Sequence, residues 1–477
     1  MEKKLSWYDH ININIYWLGL NIAISILTPL LLPYLVEQFA PGELKNTYYA
    51  YMRVSGLAVA MIIQPLAGML SDRNTSRYGR RRPFIFWGTV FNALCMVIIG
   101  LSSSYAAMTA YTILVVGVIL SQFASNIAHG ALQGLIPDLV PENQRGRSSG
   151  VKAIMELLPG FLVIFVGPLV DQGRIWLVVA IVIASLLIPM ALTLFFVKEE
   201  PLKQKPKESL REPTLRILAL TLIFVLITQL VVWGLNVSGD WIIVQGLSLA
   251  AQIGIIGIIG LAGMSVAVII GVYLGARVGI GAEAGKQKSF IWWIVNRLLF
   301  LAAVTSIKGF VQYFFSDVHN IENAATMTTV LLAVVSVFLI IAALIGGIWA
   351  DKIGQKKIMI GAGILATLGT GMLIFAKGIP MIVVSGSIIG IAAGAWMATN
   401  WALGTKLAPS GEAGKYLGLS NLAGAGAGIV GQGIGGPLAD FLNGLQPGLG
   451  YLVIFAIYGG LFALSSLVMV QIKETSL

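Results

Sequence analysis

The chain alternates long apolar runs with short polar breaks, and a run of about 20 apolar residues is what a helix needs to cross a bilayer. Fourteen runs meet that length, at 14-36, 48-71, 83-103, 106-136, 149-171, 174-197, 214-236, 245-275, 288-313, 326-350, 357-377, 380-407, 417-438 and 450-472. The run at 245-275 is unusually long and rich in glycine. The most hydrophilic stretch, "KEEPLKQKPKESLREP" from Lys198 to Pro213, separates the sixth run from the seventh. The pattern predicts an all-α polytopic membrane protein, expected to divide into a six-helix half (1-197), a linker (198-213), an inserted helix pair (214-275) and a second six-helix half (276-477).

Composition agrees with that reading: 57% of residues are hydrophobic and only 11% charged, against about 25% in soluble domains. The net charge of +10 does not point to nucleic acid, because the basic residues sit in short loops and no basic face is interleaved with aromatics. If both termini face the cytoplasm, 23 of the 31 Lys and Arg fall in inner segments and five within spans. Only Lys45, Arg174 and Lys377 lie in outer loops. That asymmetry predicts the orientation, in a cell inner or plasma membrane, with both termini inside. The first apolar run lacks a cleavage site and is expected to be a retained span. Cys95, the single cysteine, excludes an intramolecular disulfide and a cysteine metal site. The chain has no nucleotide-binding loop, metal-ligand cluster or nucleophile-base set, and His10, His129 and His319 are far apart in sequence, so neither a cofactor nor an enzyme activity is expected.

Internal repetition adds more. "GMLSDR" (Gly68 to Arg73), followed by Gly79 and Arg80, recurs as "GIWADK" (Gly347 to Lys352), followed by Gly354. "PENQRGRSSG" (Pro141 to Gly150) is echoed by "PSGEAGKYLG" (Pro409 to Gly418), and "GPLVD" (Gly167 to Asp171) by "GPLAD" (Gly436 to Asp440). Echoes in the same order indicate parallel repeats, the arrangement of two-halved transporters.

The G-x-x-x-D-[RK]-x-G-[RK]-[RK] pattern resembles the signature of the major facilitator superfamily. The longer stretch "QPLAGMLSDRNTSRYGRRRPFI" resembles the sucrose-transporter branch and its glycoside cation-symporter relatives. "NIAHGALQGLIPDL" is similar to their fourth-helix segment at Asn126, Gly130 and Asp138, but carries His129, Ala131 and Gln133 where they have Gln, Pro and Arg. The extra helix pair resembles fourteen-helix drug-export branches instead. The resemblance implies a secondary transporter for a small polar solute, with a sugar or glycoside and a proton as the expected cargo and coupling ion. Proton-driven efflux of amphipathic compounds, and a non-transporting assembly protein that docks a membrane partner on helices 214-275, remain alternatives.

Particular residues follow. A carboxylate at a helix C-terminal end is disfavoured by the helix dipole, so Asp72 and Asp351 should be held by arginines. Arg73, Arg77, Arg145 and Arg147 are the expected partners, in a latch that also involves Gly68, Gly79, Arg80, Asp138, Gly347 and Lys352, while Arg81 and Arg82 are assigned to topology. The glycines should allow close helix approach. The resemblance further implies that the first and fourth helices of each half line the cavity. Their polar and aromatic residues Asn21, Asn126, His129, Asn296, Arg297, Trp396, Asn400 and Trp401 are the expected solute contacts. For Trp396 and Trp401, packing is an equal alternative. Glu156 is the acidic residue placed inside a span, which makes it, with His129, the expected protonation site. Lys152 precedes it by one turn, and a gate-tying Lys152/Glu156 pair is the competing expectation.

Overall fold

The computed structural model describes residues 5–202, 209–279, 281, 285–408 and 413–473, without the side chains of 351 and 413–423. Thirteen helices among the described residues are long and apolar enough to cross a membrane. They are α1 (Trp7–Phe39), α2 (Gly42–Ser71), α3 (Arg82–Ser102), α4 (Ala107–Leu139), α5 (Glu142–Phe165), α6 (Ile175–Phe196), α7 (Arg211–Val244), α8 (Leu249–Gly279), α9 (Lys288–Asp317), α10 (Ala324–Ala350), α11 (Gln355–Ile374), α12 (Ile379–Leu407) and, last in the chain, α14 (Leu449–Gln471). Helix α13 (Ala413–Leu445) covers the thirteenth predicted run.

Each helix satisfies its own backbone polar groups, which hydrocarbon would otherwise leave unpaired at several kcal/mol each. Two of the spans are not regular. In α1 the turn Leu27–Leu31 widens to the π form around Pro29. A single span was expected over 149-171. The α-helix is broken at Leu158, runs one turn over Pro159–Leu162, tightens to a 3-10 turn at Val163–Phe165 and resumes at Gly167–Asp171. Pro159 and Pro168 each lack the N–H that would continue the ladder.

The packing repeats with the sequence. Within the first half, α3 packs on α4, α1 on α5 and α6, and α3 on α6; eight helices later α11 packs on α12, α9 on α13 and α14, and α11 on α14. The inserted α8 packs against α9, α13 and α14. Phe224 of α7 fills the space left by Gly271 of α8 and Gly426 of α13, and Phe441 of α13 lies over Gly239 of α7. The other face of α7 exposes Leu215, Leu218, Leu222, Leu226, Leu230, Trp233, Val237 and Trp241, a stripe at helical spacing suited to lipid.

By contact the chain forms two compact units. One comprises residues 1–41, 59–215 and 325–329; the other comprises 42–58, 216–324 and 330–477. The repeated aspartates act as caps inside these units. Asp171 accepts the backbone N–H of Ala325 (3.0 Å) and Thr326 (2.8 Å) at the start of α10. Asp440 accepts those of Asn46 (3.3 Å) and Thr47 (2.6 Å) in the opening turn of α2. An acidic group at a helix N-terminus meets both unpaired donors and the positive end of the dipole.

The motif glycines behave differently from expectation. At Gly68 an added Cβ would make an ordinary 3.5 Å contact with the Gly130 carbonyl, whereas at Gly130 it would come within 2.2 Å of the Gln64 carbonyl. Gly347 has open space around it, and the tight crossing in the second unit is at Gly394, where a Cβ would lie 2.1 Å from the Leu339 carbonyl. The close approach therefore belongs to the fourth helix of each half. Gly394→Ala and Gly130→Ala are expected to lower the melting temperature in detergent, by about 1–3 kcal/mol of overpacking, while Gly347→Ala leaves it unchanged.

Candidate functional site

In the first unit the polar loop between α2 and α3 is drawn onto the ends of its neighbours. Gly79 turns the loop at φ 101°, and Gly354 takes φ 94° in the repeated motif, so both copies use a backbone conformation that favours glycine. Arg81 is the centre of the cluster. Its side chain is 6% exposed, and its guanidinium pairs with both Asp72 and Asp138, the latter at 2.9 Å through Nε. It also donates to Ser71 Oγ at 2.6 Å. Arg80 pairs with the same Asp138 carboxylate, donating from Nε to Oδ2 at 3.0 Å. The Arg81 guanidinium lies where a Cβ on Gly134 would stand.

Asp72 is thus held by Arg81, which lies outside the expected set, while Arg77, Arg145 and Arg147 are placed elsewhere. Arg77 lies over the Tyr78 ring and donates to its hydroxyl at 2.7 Å. Arg145 turns to the carbonyls of Val140 and Pro137 and to Glu142, and Arg147 is solvent-exposed. The physical reason is reach: the loop folds back so that Arg81, at the N-cap of α3, stands between the ends of α2 and α4. Gly68 serves this cluster through its carbonyl, which Arg81 approaches at 3.4 Å. In the second copy, the Asp351 side chain and Pro409–Glu412 lie outside the described residues, and Lys352 is exposed.

Glu199, which sequence reasoning did not single out, completes the cluster. Its Oε2 accepts the backbone N–H of Arg81 (2.9 Å) and Arg82 (3.1 Å), capping α3, and it occupies the space above Gly79. Burial pushes its carboxyl above the ordinary range, against the pull of those N–H groups and the Arg81 charge. Arg80, Asp138 and Glu199 line a cleft of about 880 Å³ with Asp9, Asn12 and Lys198.

Deeper in the same unit, α1, α4 and α5 bring three expected residues, His129, Lys152 and Glu156, together around Trp17. Lys152 Nζ sits 4.0 Å from the centre of the Trp17 ring and 3.5 Å from Glu156 Oε1. His129 meets the other side of the cluster edge-on to Trp17, with ring centres 5.1 Å apart, and its recorded polar contact is Gln133 at 3.5 Å. Lys152 and Trp17 therefore connect Glu156 to His129. Asn21 donates to the Trp17 carbonyl (2.8 Å) and Asn126 to that of Gln122 (2.8 Å), so both amides are engaged within their own helices.

In the second unit Arg297 hydrogen-bonds the Asn400 side chain and lies 4.6 Å from the Trp401 ring centre. Trp293 donates to the Asn400 carbonyl at 3.1 Å. Arg297 Nε and Asn400 Nδ2 are buried with no hydrogen-bond partner among the described residues. Asn296 and Trp396 do not join this group. Asn296 is fully buried, donating to Ser465 O (2.8 Å) and accepting from Trp396 Nε1 (3.2 Å), while Trp396 stacks on Phe300 with ring centres 4.4 Å apart. Consecutive residues of one helix point about 100° apart, so the turn that aims Arg297 at Asn400 aims Asn296 at α14. Both are packing residues.

Two repeats of one packing pattern, separated by the inserted α7 and α8, with polar groups gathered inside each repeat, define a polytopic membrane protein of the two-halved architecture. The profile of the Major Facilitator Superfamily matches residues 18–316 and 298–475, and the chain belongs to that family. Among characterised proteins it is similar to Sucrose transport protein SUC3 of Arabidopsis thaliana, with 26% identity over 28% of this chain and 24% of that one. It is also similar to General alpha-glucoside permease of Schizosaccharomyces pombe, with 26% identity over 38% and 35% of the two chains. The chain thus matches about a quarter to a third of the length of these relatives. Its fold is similar to a D-xylose-proton symporter (TM-score 0.64, 15% identity, 97% of both chains). It is likewise similar to peptide transporter POT in complex with sulfate (TM-score 0.66, 13% identity, 97% of this chain and 93% of that one).

Because Arg81 serves two carboxylates, Arg81→Gln is expected to destabilise the protein by about 1–2 kcal/mol, since Asp138 keeps Arg80 and Asp72 is half-exposed. Arg77→Gln should have a smaller effect, both read from melting in detergent. Glu199 supplies a pH signature. Between its ordinary value of 4.5 and its raised native value, the folded chain holds the Glu199 proton more tightly than the unfolded chain. Rising pH through that window erodes the stability this group contributes. Glu199→Gln is expected to flatten that part of the stability–pH curve.

Proposed function

We propose that the protein is a secondary transporter of a small polar solute, a sugar or glycoside, working by alternating access and coupled to protons. The observation that carries the coupling is the Glu156–Lys152–Trp17–His129 cluster, in which an acid and an imidazole at membrane depth are linked through one cation and one ring. Ionisable groups at such depth persist where they bind or relay something. Protonation of Glu156 would release Lys152 from its ion pair, and Lys152 faces the ring that also contacts His129. Coupling thereby acquires a mechanical consequence within the first unit.

The sugar reading draws on the sucrose and glucoside names of the relatives matched and on the chemistry of Arg297, Asn400 and Trp401. A guanidinium, an amide with an unused donor and an indole face suit a ring bearing hydroxyls. In this reading 1-197 and 276-477 are the moving halves, joined by 198-213 and the inserted 214-275, with both termini cytoplasmic. Asp72, Arg80, Arg81 and Asp138 form the inner latch, intact while the cavity faces outward.

Proteoliposomes loaded with a pH dye test this reading. External glycosides should acidify the interior. Glu156→Gln should abolish that acidification, by about tenfold or more, while still exchanging labelled solute across the membrane. A purely gate-tying Lys152/Glu156 pair would instead lose exchange and proton movement together, in Lys152→Gln as much as in Glu156→Gln.

A further inference from the structure

Helices α1 and α5 of the first unit lie side by side and point the same way. Three contacts rise in step along them: the Leu5 N–H to Gln144 Oε1 at 3.1 Å, Asn14 Nδ2 to Ser148 Oγ at 2.9 Å, and Lys152 Nζ to the Trp17 ring centre at 4.0 Å. On α5 the polar residues Gln144, Ser148, Lys152 and Glu156 recur every four positions, which keeps them on one face. On α1 His10, Asn14 and Trp17, spaced by four and three, form the matching stripe. A polar seam thus leads from the Glu156 cluster to the start of α1, and the coupling reading uses only its inner end.

The solvent end of the seam is unsatisfied. Trp7 and Tyr8 are exposed, whereas His10 is 1% exposed and is the first buried residue of α1. Asn14, one turn on, is fully buried, and its Nδ2 also donates to the His10 carbonyl at 2.9 Å. Among the described residues neither His10 ring nitrogen nor Asn14 Oδ1 has a hydrogen-bond partner. Ser148 Oγ accepts from Asn14, so its own hydrogen remains for another partner. Where protein supplies no partner to buried polar atoms, ordered water does, given a few polar groups within reach. His10, Asn14 and Ser148 are such a set, one turn short of Lys152. On the elements packed against α1 the titratable groups along the seam are Lys152 and Glu156 of α5 and His129 of α4, and α6 has none between Ile175 and Phe196. Asp9 accepts from Ser6, Asp138 is held by Arg80 and Arg81, Glu142 pairs with Arg145, and Arg147 is solvent-exposed.

We propose that this seam is the route by which the coupled proton is released, with His10 as its last relay and Asn14 and Ser148 as the groups that hold water between. The inference rests on proton coupling at Glu156 and adds where the proton leaves, on the side where α1 begins, cytoplasmic in that reading. Protonation of Glu156 leaves the Lys152 ammonium without its counter-charge, one turn from Ser148. Lys152 passes a proton to water at Ser148 Oγ and Asn14 Oδ1 and takes the Glu156 proton in its place, which restores the carboxylate–ammonium pair. The transferred proton adds to one ring nitrogen of a neutral His10, and the proton on the other nitrogen leaves to bulk water. The imidazole ends neutral with its tautomer exchanged, and the net change is one proton moved from Glu156 to the cytoplasmic side. Imidazole suits that step because it accepts and releases protons near neutral pH.

Two measurements on the full-length protein test the route. The first is independent of the solute: nuclear magnetic resonance of nitrogen-labelled histidine in phosphatidylcholine nanodiscs, with the His10 signals assigned by their loss in His10→Gln. The His10 ring nitrogens are expected to show exchange with water despite the burial of the side chain, and a ring without water contact overturns the route. The second uses proteoliposomes loaded with a pH dye and compares acidification by external methyl β-D-glucoside with exchange of the labelled glycoside, which needs no proton release. His10→Ala should lower the ratio of acidification to exchange about tenfold or more, the scale of a lost proton relay. Imidazole in the buffer should restore most of that ratio by filling the space left. Asn14→Leu, which keeps the volume and removes the polar station, should lower the ratio without such rescue. An unaltered ratio in His10→Ala, or a loss that imidazole does not restore, overturns the route and leaves coupling at Glu156 standing. Exchange without acidification in the unmodified protein ends the coupling reading, and the route with it.

Discussion

A charge or an unpaired backbone group in hydrocarbon has nothing to replace the water it has lost, and the whole chain is arranged around that penalty. It makes every span a helix and sends most lysines and arginines to the breaks between spans. It also gives meaning to those that stay inside. Lys152 is met by Glu156 and the Trp17 ring, and Arg297 by Asn400 and Trp401. These two solutions differ in what they leave over: a closed pair and a partly used guanidinium.

At the loop end of the first unit the same constraint is met by sharing. One guanidinium bridges Asp72 and Asp138 and so joins the ends of α2 and α4, while Glu199, arriving from beyond α6, caps α3 beside it. Four helix ends meet in one network, and small residues make room for it, Gly134 beneath Arg81 and Gly79 beneath Glu199. Such a network is stiff when complete, and removal of Arg81 strips Asp72 of its partner there. The proposed inner latch rests on that stiffness.

The fold was largely legible in the sequence because a membrane span is a local property, a run of apolar residues of known length. The repeats were equally legible, and "GPLVD" and "GPLAD" proved to mark equivalent helix caps. What escaped depends on direction and distance. Nothing in "SDRNTSRYGRRRPF" says that Arg81 turns inward while Arg77 stacks on Tyr78, because the turn at Gly79 decides it. Asn296 and Arg297 are adjacent in sequence yet face different helices. Glu199 was visible only as one charge in a hydrophilic linker.

The central claim is that solute movement is tied to proton movement. The most direct measurement is uptake of a labelled glycoside into proteoliposomes, with and without an imposed gradient that makes the interior alkaline. The account predicts accumulation above the external concentration when the gradient is present, collapsing to equality when a protonophore is added. Uptake that stops at equality regardless of the gradient would contradict proton coupling and leave Glu156 and His129 with a structural role.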